Sequence, residues 1–584
     1  MVPPLADIPF LKDAPGAVLE DIEGEIEWYS VPGGWPLIEI GDPPDCIHFV
    51  LSGALAAFQI VADGQARLIG YIRAGEPVGE MALIAGERHQ HAVYATRDSE
   101  VLRISRAGFN RLVRLHPSVM QQIARIMLLR TRRNRRNTRS EPKTFALIAT
   151  SPTLDMQLRA QELKAALEKL GRRALIVGEE GVARLSVWFD QMEQDYDAVL
   201  LVTRIADTAW FRMCLRQADR LLVFARSDAR PSAPLLPQDD HSPARKFQLV
   251  DLVICHLAGA ERASSAEEWR AASGAARIFH WRGLEVTDAG RLARILAGQA
   301  IGLVLSGGGA RAYAHIGVVR ALREAGVSLD MVGGTSMGAI VAACLAMGWN
   351  DDEIEARVRQ AFVESNPLGD YVLPVVALSR GKRVEERLQH NFGETQIEDL
   401  AMPFFCISTD LVAGCVRVHR AGLLRAALRA SISLPGILPP VVEGGALLVD
   451  GAVLKNFPVD IMRDLYRGPI IGVDVARRTH INPQDFVEPP PFFGWVASKG
   501  FQAPPPIASL LIRAATLTVD PWEGRAKTDL LITPDMPNVD LRDWKRFDEA
   551  VADGYETAVA ALKRMPSLAP GEGLEPHEML EAAE

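Results

Sequence analysis

Residues 334–338 read Gly-Thr-Ser-Met-Gly, a G-x-S-x-G spacing in which the serine could act as a nucleophile. A strand-like apolar run precedes this stretch and a helix-like apolar run follows it, which is the setting of a serine on a tight strand-to-helix turn. Gly334 and Gly338 suit the positions on either side of Ser336, because such a turn crowds the neighbouring backbone. The start of the following helix also favours negative charge near the hydroxyl.

A glycine-rich turn precedes this serine in the sequence and could stabilise negative charge beside it. The turn follows the apolar run "IGLVL" and consists of Gly307, Gly308 and Gly309. Its spacing also fits a dinucleotide-binding fingerprint, but such a site needs an acidic residue at the end of the second strand, where Ser336 stands instead, with Asp330 at the strand's start. We therefore favour the backbone N–H groups of the turn as oxyanion donors, supported by Arg311, over a dinucleotide site or a purely structural turn.

A nucleophilic serine needs a base. Asp450 ends the apolar run "GGALLVD" and enters a glycine turn, from which a carboxylate can reach the end of a neighbouring strand. His480 follows it in the chain and would complete a Ser–Asp–His order, so we keep it as an alternative base. His315 is the other imidazole near the glycine turn, and its place one turn into a helix favours packing or capping.

The elements that position these residues belong to a chain of 584 residues, long enough for about three or four domains. A net charge of -9 argues against a nucleic-acid partner. The six cysteines form no C-x-x-C pair and stand mostly in apolar runs, which favours buried thiols over disulfides or a metal site. The N-terminus lacks the pattern of a signal peptide, and the longest apolar run, 339–347, is shorter than the roughly 18 residues that span a bilayer. We predict a cytoplasmic protein.

The hydrophobic pattern predicts a multidomain fold. Short strands between glycine turns predict an N-terminal antiparallel β-barrel with a C-terminal helix over 1–125. An Arg-rich linker over 126–142 precedes alternating strands and helices over 143–292, which predict a parallel, Rossmann-like α/β middle domain. A second α/β domain over 295–565 carries the three stretches described above, and 566–584 form an acidic tail that we expect to be mobile.

G-G-G-x-R, G-x-S-x-G and D-G-A, in this order and with these flanking elements, resemble the patatin-like phospholipase family. "ASISLPGILPP" and "VDGAVLKNFPVDIMR" resemble it too, and the barrel and middle region resemble its neuropathy target esterase branch. The resemblance implies an α/β/α hydrolase domain that cleaves acyl esters of phospholipids or lysophospholipids through an acyl-enzyme. It also implies a dyad of Ser336 and Asp450 without histidine or cofactor. A signal-responsive scaffold with a vestigial hydrolase domain is the alternative from another functional class.

The first domain resembles a cyclic-nucleotide-binding barrel. Its segment "GEMAL" supplies Gly79, Glu80 and Ala82, which in that family contact the ribose and the phosphate. The arginine that neutralises the phosphate is replaced by His89, and Arg88 stands one position early, which in a strand points to the opposite face. Losing a fixed guanidinium removes a bidentate contact. We therefore expect no tight binding of cyclic nucleotide and consider docking or homodimerisation as the barrel's role.

Two segments could contact a membrane from the side. Residues 125–139 contain seven arginines and no acid, which fits either a solvated linker or contact with anionic headgroups of the inner membrane face. Residues 486–517 are rich in proline and aromatic side chains without clear periodicity. They fit a membrane-facing loop near the active site or a segment packed on the core.

Overall fold

The computed structural model describes residues 15–60, 66–135, 142–184, 186–232, 235, 249–256, 266–282, 286–365, 369–372, 375–465, 468–476, 524–541 and 543–564. The chain forms two compact units, Met1–Gly298 and Gln299–Glu584. Three predicted features lie wholly outside the described residues, namely His480, the proline- and aromatic-rich segment 486–517 and the tail 566–584.

The first unit begins with two antiparallel four-stranded sheets. One has the order β1 (Ile26–Val31), β8 (Ser99–Ser105), β3 (Cys46–Ser52) and β6 (Pro77–Val78). The other has the order β2 (Pro36–Ile38), β7 (Ala92–Ala95), β4 (Ala54–Ile60) and β5 (Ala66–Arg73). The helices are α1 (Gly16–Ile22), α2 (Glu80–Ala85), α3 (Arg106–Leu115) and α4 (Ser118–Arg135). The predicted antiparallel N-terminal fold is confirmed, and residues 126–135 of the predicted linker are helical.

A six-stranded parallel sheet completes the first unit. Its strands run in the order β10 (Ala174–Val177), β11 (Ala198–Arg204), β9 (Thr144–Ala149), β12 (Arg220–Arg226), β13 (Leu249–His256) and β14 (Arg277–Arg282). The helices are α5 (Met156–Lys169), α6 (Ser186–Asp195), α7 (Ala209–Gln217), α8 (Ala266–Ser273) and α9 (Val286–Leu296). Every residue of β9 is buried, as expected for a central parallel strand covered on both faces.

The second unit contains a mixed sheet. Its strands run in the order β19 (Val441–Glu443), β20 (Ala446–Asp450), β17 (Phe404–Asp410), β16 (Leu329–Thr335), β15 (Ile301–Leu305), β21 (Ile470–Val473) and β22 (Leu530–Ile532), and β18 (Cys415–His419) pairs with β17. The helices are α10 (Ala314–Glu324), α11 (Met337–Ala346), α12 (Asp351–Val358), α13 (Lys382–Phe392), α14 (Leu424–Ser431), α15 (Val459–Leu465) and α16 (Phe547–Arg564). The central strands β15 and β16 are buried throughout and run parallel, so their carboxyl ends lie at one edge of the sheet.

The cysteines agree with a fold that uses thiols as small apolar groups. Five of the six are buried and unpaired, and Cys415, the first residue of β18, is exposed. Burial raises the pKa of Cys46, Cys255 and Cys344 to between about 11 and about 12. Within the described residues no cluster of histidine, cysteine and carboxylate side chains is arranged to hold a metal ion.

Candidate active site

Ser336 stands on a strained turn at the carboxyl edge of the sheet in the second unit. It links the end of β16 to the start of α11 with φ 54° and ψ -129°. Among the described residues other than glycine, Ser336 alone has a positive φ, and such strain persists where the surrounding structure holds it for a functional reason. The turn is anchored by the Ser336 N–H, which donates to the Ser431 Oγ at 3.1 Å.

The glycines around Ser336 are required by space. A Cβ on Gly334 would lie 2.8 Å from the Leu305 carbonyl oxygen, and one on Gly338 would lie 2.4 Å from the Ser306 carbonyl oxygen. Neither distance is possible for a real side chain. The turn at Ser336 therefore packs its backbone directly against the end of β15, which brings Ser336 beside the glycine-rich turn.

The carboxylate of Asp450 contacts the serine hydroxyl. The Ser336 Oγ donates to Asp450 Oδ2 at 2.6 Å, and the Ala452 N–H donates to the other oxygen, Oδ1, at 2.9 Å. Asp450 is only 1% exposed. Burial raises the pKa of Asp450 to about 6, although these two hydrogen bonds lower it. A carboxylate of this kind is charged at neutral pH and is basic enough to accept a proton from a hydroxyl.

The sheet register explains how Asp450 reaches a serine 114 positions earlier. Thr335 pairs with Ile407 in β17, and the next residue of β17, Ser408, pairs with Asp450 of the antiparallel strand β20. Thr335, which precedes Ser336, and Asp450 therefore pair with adjacent residues of β17. The chain then passes close to β17 at Gly451, where a Cβ would lie 2.7 Å from the Ile407 carbonyl oxygen.

The glycine-rich turn lies against the serine. A Cβ on Gly307 would be 3.0 Å from the Ser336 Cβ. The Gly307 N–H donates to the Asn456 carbonyl oxygen at 3.3 Å, and the Asn456 Nδ2 donates back to the Gly307 carbonyl oxygen at 3.1 Å. Within the described part of the chain, the amides of Gly308 and Gly309 donate to no protein acceptor. Of the three predicted donors, these two amides are the ones available to a bound oxyanion.

Arg311 anchors the glycine-rich turn to later segments of the chain. Its side chain is 5% exposed, and its guanidinium donates to the backbone carbonyl oxygens of Val475, Met536 and Val539 at 2.8–2.9 Å. The Ala310 N–H adds a bond to the Leu541 carbonyl oxygen at 2.9 Å. These contacts tie the turn to segments far along the chain, so Arg311 acts as a support rather than as an oxyanion donor.

His315 packs beneath the site, as its position in the helix predicted. It is fully buried in α10, and its Nε2 lies 2.8 Å from the Ser306 carbonyl oxygen. Burial lowers the pKa of His315 to about 4, so the ring is neutral. Its contacts are with the backbone of the loop and not with the carboxylate of Asp450.

Two residues of the site carried no role in the sequence-based prediction. Ser431 accepts from the Ser336 N–H, and Asn456 bonds twice to Gly307. Both lie in stretches that resemble the patatin family, "ASISLPGILPP" and "VDGAVLKNFPVDIMR". That shared pattern is the signal in the sequence that could have singled them out.

The pocket of the N-terminal barrel lacks a fixed cation at the positions predicted for one. Gly79 has φ 85° and precedes α2, and Glu80 is buried. The imidazole of His89 lies against Gly79, with its Cε1 3.2 Å from where a Cβ would stand, and burial lowers the pKa of His89. The Arg88 side chain is exposed and donates to the Gly41 carbonyl oxygen at 2.6 Å. Position 88 thus carries an exposed arginine bonded to backbone, and position 89 carries a buried imidazole.

Comparison with known proteins gives relatives along almost the whole chain. An uncharacterized NTE family protein of Mycobacterium bovis is 32% identical over 585 residues, covering 97% of both chains. The chain belongs to the NTE family. Patatin-like phospholipase domain-containing protein 7 of Rattus norvegicus is 30% identical over 526 residues, covering 79% of this chain and 39% of that protein. The corresponding protein 6 of Homo sapiens is 29% identical and covers 77% of this chain and 38% of its own length.

Family models divide this NTE family chain into three parts. A cyclic nucleotide-binding domain matches residues 30–116, a Neuropathy Target Esterase family P-loop like domain matches 141–281, and a patatin-like phospholipase matches 303–463. The resemblance drawn from the sequence motifs is confirmed. The second unit contains a hydrolase domain of the patatin-like type at 303–463, and the three matches agree with the multidomain fold class predicted from the hydrophobic pattern.

The P-loop like domain of this NTE family chain does not fit a nucleotide phosphate at its first turn. The turn between β9 and α5, Thr150–Asp155, contains neither glycine nor lysine. The Asp155 carboxylate instead accepts from the Leu158 N–H at 2.9 Å. A helix start capped by its own carboxylate repels a second anion.

None of the helices in the described ranges has the length and the apolar composition that a membrane-spanning segment requires.

Proposed function

We propose that this NTE family chain hydrolyses acyl ester bonds of phospholipids or lysophospholipids with a dyad of Ser336 and Asp450. The observation that carries the proposal is the hydrogen bond of 2.6 Å from the Ser336 Oγ to a buried carboxylate. Patatin-like phospholipase domains in the names of the relatives support a lipid ester as the substrate.

In the first half of the reaction, the Ser336 Oγ attacks the ester carbonyl carbon while its proton passes to Asp450 Oδ2. The carbonyl oxygen becomes an oxyanion, to which the amides of Gly308 and Gly309 donate, and each such donor is worth about 10²–10³ in rate. The tetrahedral intermediate collapses, its C–O bond to the glycerol breaks, and the proton on Asp450 passes to the leaving alkoxide. The acyl chain remains on Ser336.

In the second half, a water molecule attacks the acyl-enzyme. Asp450 takes one proton from this water, a second oxyanion forms at the same two amides, and its collapse releases the fatty acid. The proton returns from Asp450 to the Ser336 Oγ, which restores the starting state. Asp450 thus serves first as base and then as acid in each half, a role for which a pKa of about 6 is suited.

The proposal is tested by assaying wild type, Ser336→Ala, Asp450→Asn and His480→Ala on lysophosphatidylcholine and phosphatidylcholine, with products identified by mass spectrometry. We expect a fluorophosphonate probe to label wild type but not Ser336→Ala, and turnover to fall by at least about 10³ in the first two variants. His480→Ala is expected to retain activity. If His480→Ala alone abolished turnover in a folded protein, the dyad would be wrong; an unlabelled wild type without activity would favour the scaffold alternative.

A further inference from the structure

A loop near the candidate active site exposes apolar side chains to solvent. Tyr371 pairs with Ser379 in an antiparallel bridge, and the Val372 N–H donates to the Leu378 carbonyl oxygen at 2.9 Å. Val375 and Val376 lie between these two paired segments. They are 93% and 65% exposed, and Tyr371 is 46% exposed. Two neighbouring aliphatic side chains this exposed gain free energy when a contact removes them from water.

Three cations stand at the base of this loop. Arg380, Lys382 and Arg383 occupy three of the four positions 380–383 and are exposed. Lys382 lies 3.7 Å from Glu386, with both side chains largely in solvent. Among the described residues, no carboxylate lies within ion-pair distance of Arg380 or Arg383. We call Tyr371, Val375, Val376, Arg380, Lys382 and Arg383 together the 371–383 surface.

The acidic residue of the loop, Asp370, is half-buried and bonds to the loop itself. Asp370 accepts hydrogen bonds from the Ser379 Oγ, from the Lys382 N–H at 2.8 Å and from the Arg383 N–H at 3.4 Å. Its carboxylate therefore fixes the loop backbone. The result is a loop with an apolar tip, a basic base and a fixed conformation where it joins α13.

The 371–383 surface is attached to the segment that positions the dyad. The Leu378 N–H donates to the Gly436 carbonyl oxygen at 2.9 Å, and the Ser379 N–H donates to the Ile437 carbonyl oxygen at 3.1 Å. A few residues earlier, the Ser433 carbonyl oxygen accepts from the Asp450 N–H at 2.9 Å. One short stretch, residues 431–437, therefore contacts both the loop and the candidate active site.

We propose that the 371–383 surface docks the protein on an anionic lipid bilayer. Aliphatic side chains at the tip enter the interface, and the three cations meet the phosphate groups of the headgroups, which is the arrangement by which apolar area and basic charge together hold a protein at a membrane. The choice of a bilayer as partner rests on the proposed function, because the lipid esters of a bilayer would then be presented beside Ser336.

The test measures flotation of the full-length protein with vesicles of ether-linked phosphatidylcholine and phosphatidylglycerol, which an esterase cannot consume. One variant carries Val375→Ser and Val376→Ser, and another carries Arg380→Gln, Lys382→Gln and Arg383→Gln. Matched controls are Leu158→Ser with Val182→Ser, at exposed apolar sites of the first unit, and Arg173→Gln, Arg212→Gln and Arg216→Gln, whose side chains are 55–66% exposed.

We expect partition to the vesicles to fall about tenfold in the valine variant, since it lacks two aliphatic side chains that the bilayer interface would partly bury. The charge variant should fall by up to about a hundredfold at low salt, should approach wild type in 0.5 M salt, where the screening length is only a few ångströms, and should match wild type on vesicles of phosphatidylcholine alone. The controls should bind as wild type does. Unchanged binding in both surface variants, or equal losses in the controls, would overturn the proposal.

A second measurement separates this proposal from the proposed function. Labelling by a fluorophosphonate probe and hydrolysis of a soluble short-chain ester should be unchanged in the two surface variants, because no residue of the 371–383 surface belongs to the dyad. If the wild type shows neither labelling nor hydrolysis, the proposed function fails while the flotation result still decides the docking proposal.

Discussion

At the scale of single residues, Asp450 combines two demands that oppose each other. The carboxylate must be charged to accept a proton, yet it is buried, and burial disfavours charge. The pKa of about 6 is the balance between burial, which raises it, and the hydrogen bonds from Ser336 and Ala452, which lower it. Neutral pH keeps the carboxylate ionised, with a higher proton affinity than that of an exposed aspartate.

The first prediction is a pH dependence of activity. Because Asp450 must be deprotonated to act as base, kcat/KM on a soluble ester should fall as the pH drops below about 6, with a slope of one on a logarithmic plot. The measurement is a pH profile between 4.5 and 8 in buffers of constant ionic strength. A decrease of kcat/KM centred near pH 4 would mean that the Asp450 carboxylate is not the titrating group.

The second prediction concerns stability. A buried carboxyl group with a pKa of about 6, against about 3.9 in the unfolded chain, destabilises the native state as the pH rises through this interval. Asp450→Asn removes that cost and should increase the free energy of unfolding by about 1–3 kcal/mol at pH 7.5, and by less at pH 5. Urea unfolding at the two pH values measures this. The exposed control Asp352→Asn should give no increase, and an equal gain at both pH values would contradict the explanation.

Motif spacing in the sequence singled out Ser336, the resemblance to the patatin-like family implied Asp450 as its partner, and the structure brings the two side chains together. Neither signal singled out Asn456, whose amide bonds to the Gly307 carbonyl across 149 positions of the chain. A strand–turn–helix pattern is local, so residue order can reveal it. A side chain that bonds a distant backbone leaves no periodic signal, and only the fold shows which backbone it reaches.

At the scale of elements, the site depends on how two loops are held together. The glycine-rich turn after β15 and the turn after β20 are joined by the reciprocal bonds between Gly307 and Asn456. One loop carries the candidate oxyanion donors and the other follows Asp450. Asn456 is therefore a positioning residue that sets the distance between the donors and the base.

The third prediction is that Asn456→Ala lowers kcat about 10- to 100-fold on a soluble ester with little change in KM, because misplaced donors weaken binding of the transition state more than binding of the substrate. Steady-state kinetics gives both values. The control Asn538→Ala removes an exposed amide whose bond to Glu549 is 3.4 Å long, and it should retain full activity. A rise in KM alone would contradict a positioning role.

Strands with strong apolar runs were predictable from the sequence, among them "CIHFVLSG" as β3 and "TFALIAT" as β9. The antiparallel direction of β20 in a largely parallel sheet was not predicted. Strand direction follows from pairing between residues far apart in the chain, here Asp450 with Ser408. Local hydrophobic patterns record whether a strand is buried and leave its partner and direction open.

The fourth prediction concerns the N-terminal barrel. With an exposed Arg88 and a neutral His89 at the positions predicted for the phosphate contact, titration calorimetry should detect no micromolar binding of cyclic AMP or cyclic GMP. His89→Arg should restore a measurable affinity, since a guanidinium facing a phosphate forms a bidentate, charge-assisted contact. His91→Arg is the control, two positions along and exposed. Micromolar binding by the wild type would refute the expectation.

At the scale of the whole molecule, buried ion pairs join the barrel to the parallel sheet within the first unit. Arg97, 2% exposed, bonds to Glu193 of α6, and Arg73 of β5 bonds to Asp219 at 3.1 Å. Burial alone would raise the pKa of Asp219, but Arg73 and Arg97 outweigh it, so the pKa is lowered. The stabilisation from Asp219 is therefore present at neutral pH and is lost as the pH falls through that lowered pKa.

The fifth prediction is that Glu193→Ala destabilises the first unit by about 3–5 kcal/mol, because it leaves Arg97 buried without its carboxylate. Thermal unfolding followed by circular dichroism measures the loss. The control Glu267→Ala breaks an exposed pair with Arg270 and should cost at most about 1 kcal/mol. Replacing Arg97 by Met together with Glu193→Leu should recover part of the loss, and equal losses in the single and double variants would exclude an unpaired charge as the cause.

The distribution of the thiols has a practical consequence for spectroscopy. Since five of the six cysteines are buried and Cys415 alone is exposed, a maleimide dye added to the native chain attaches at a single place without any engineered cysteine. That place is the first residue of β18, which pairs with Asp410 at the end of β17. The strand β17 in turn lies between β16, which leads to Ser336, and β20, which ends at Asp450. The unmodified protein thus provides its own reporter position within the sheet that carries the candidate chemistry.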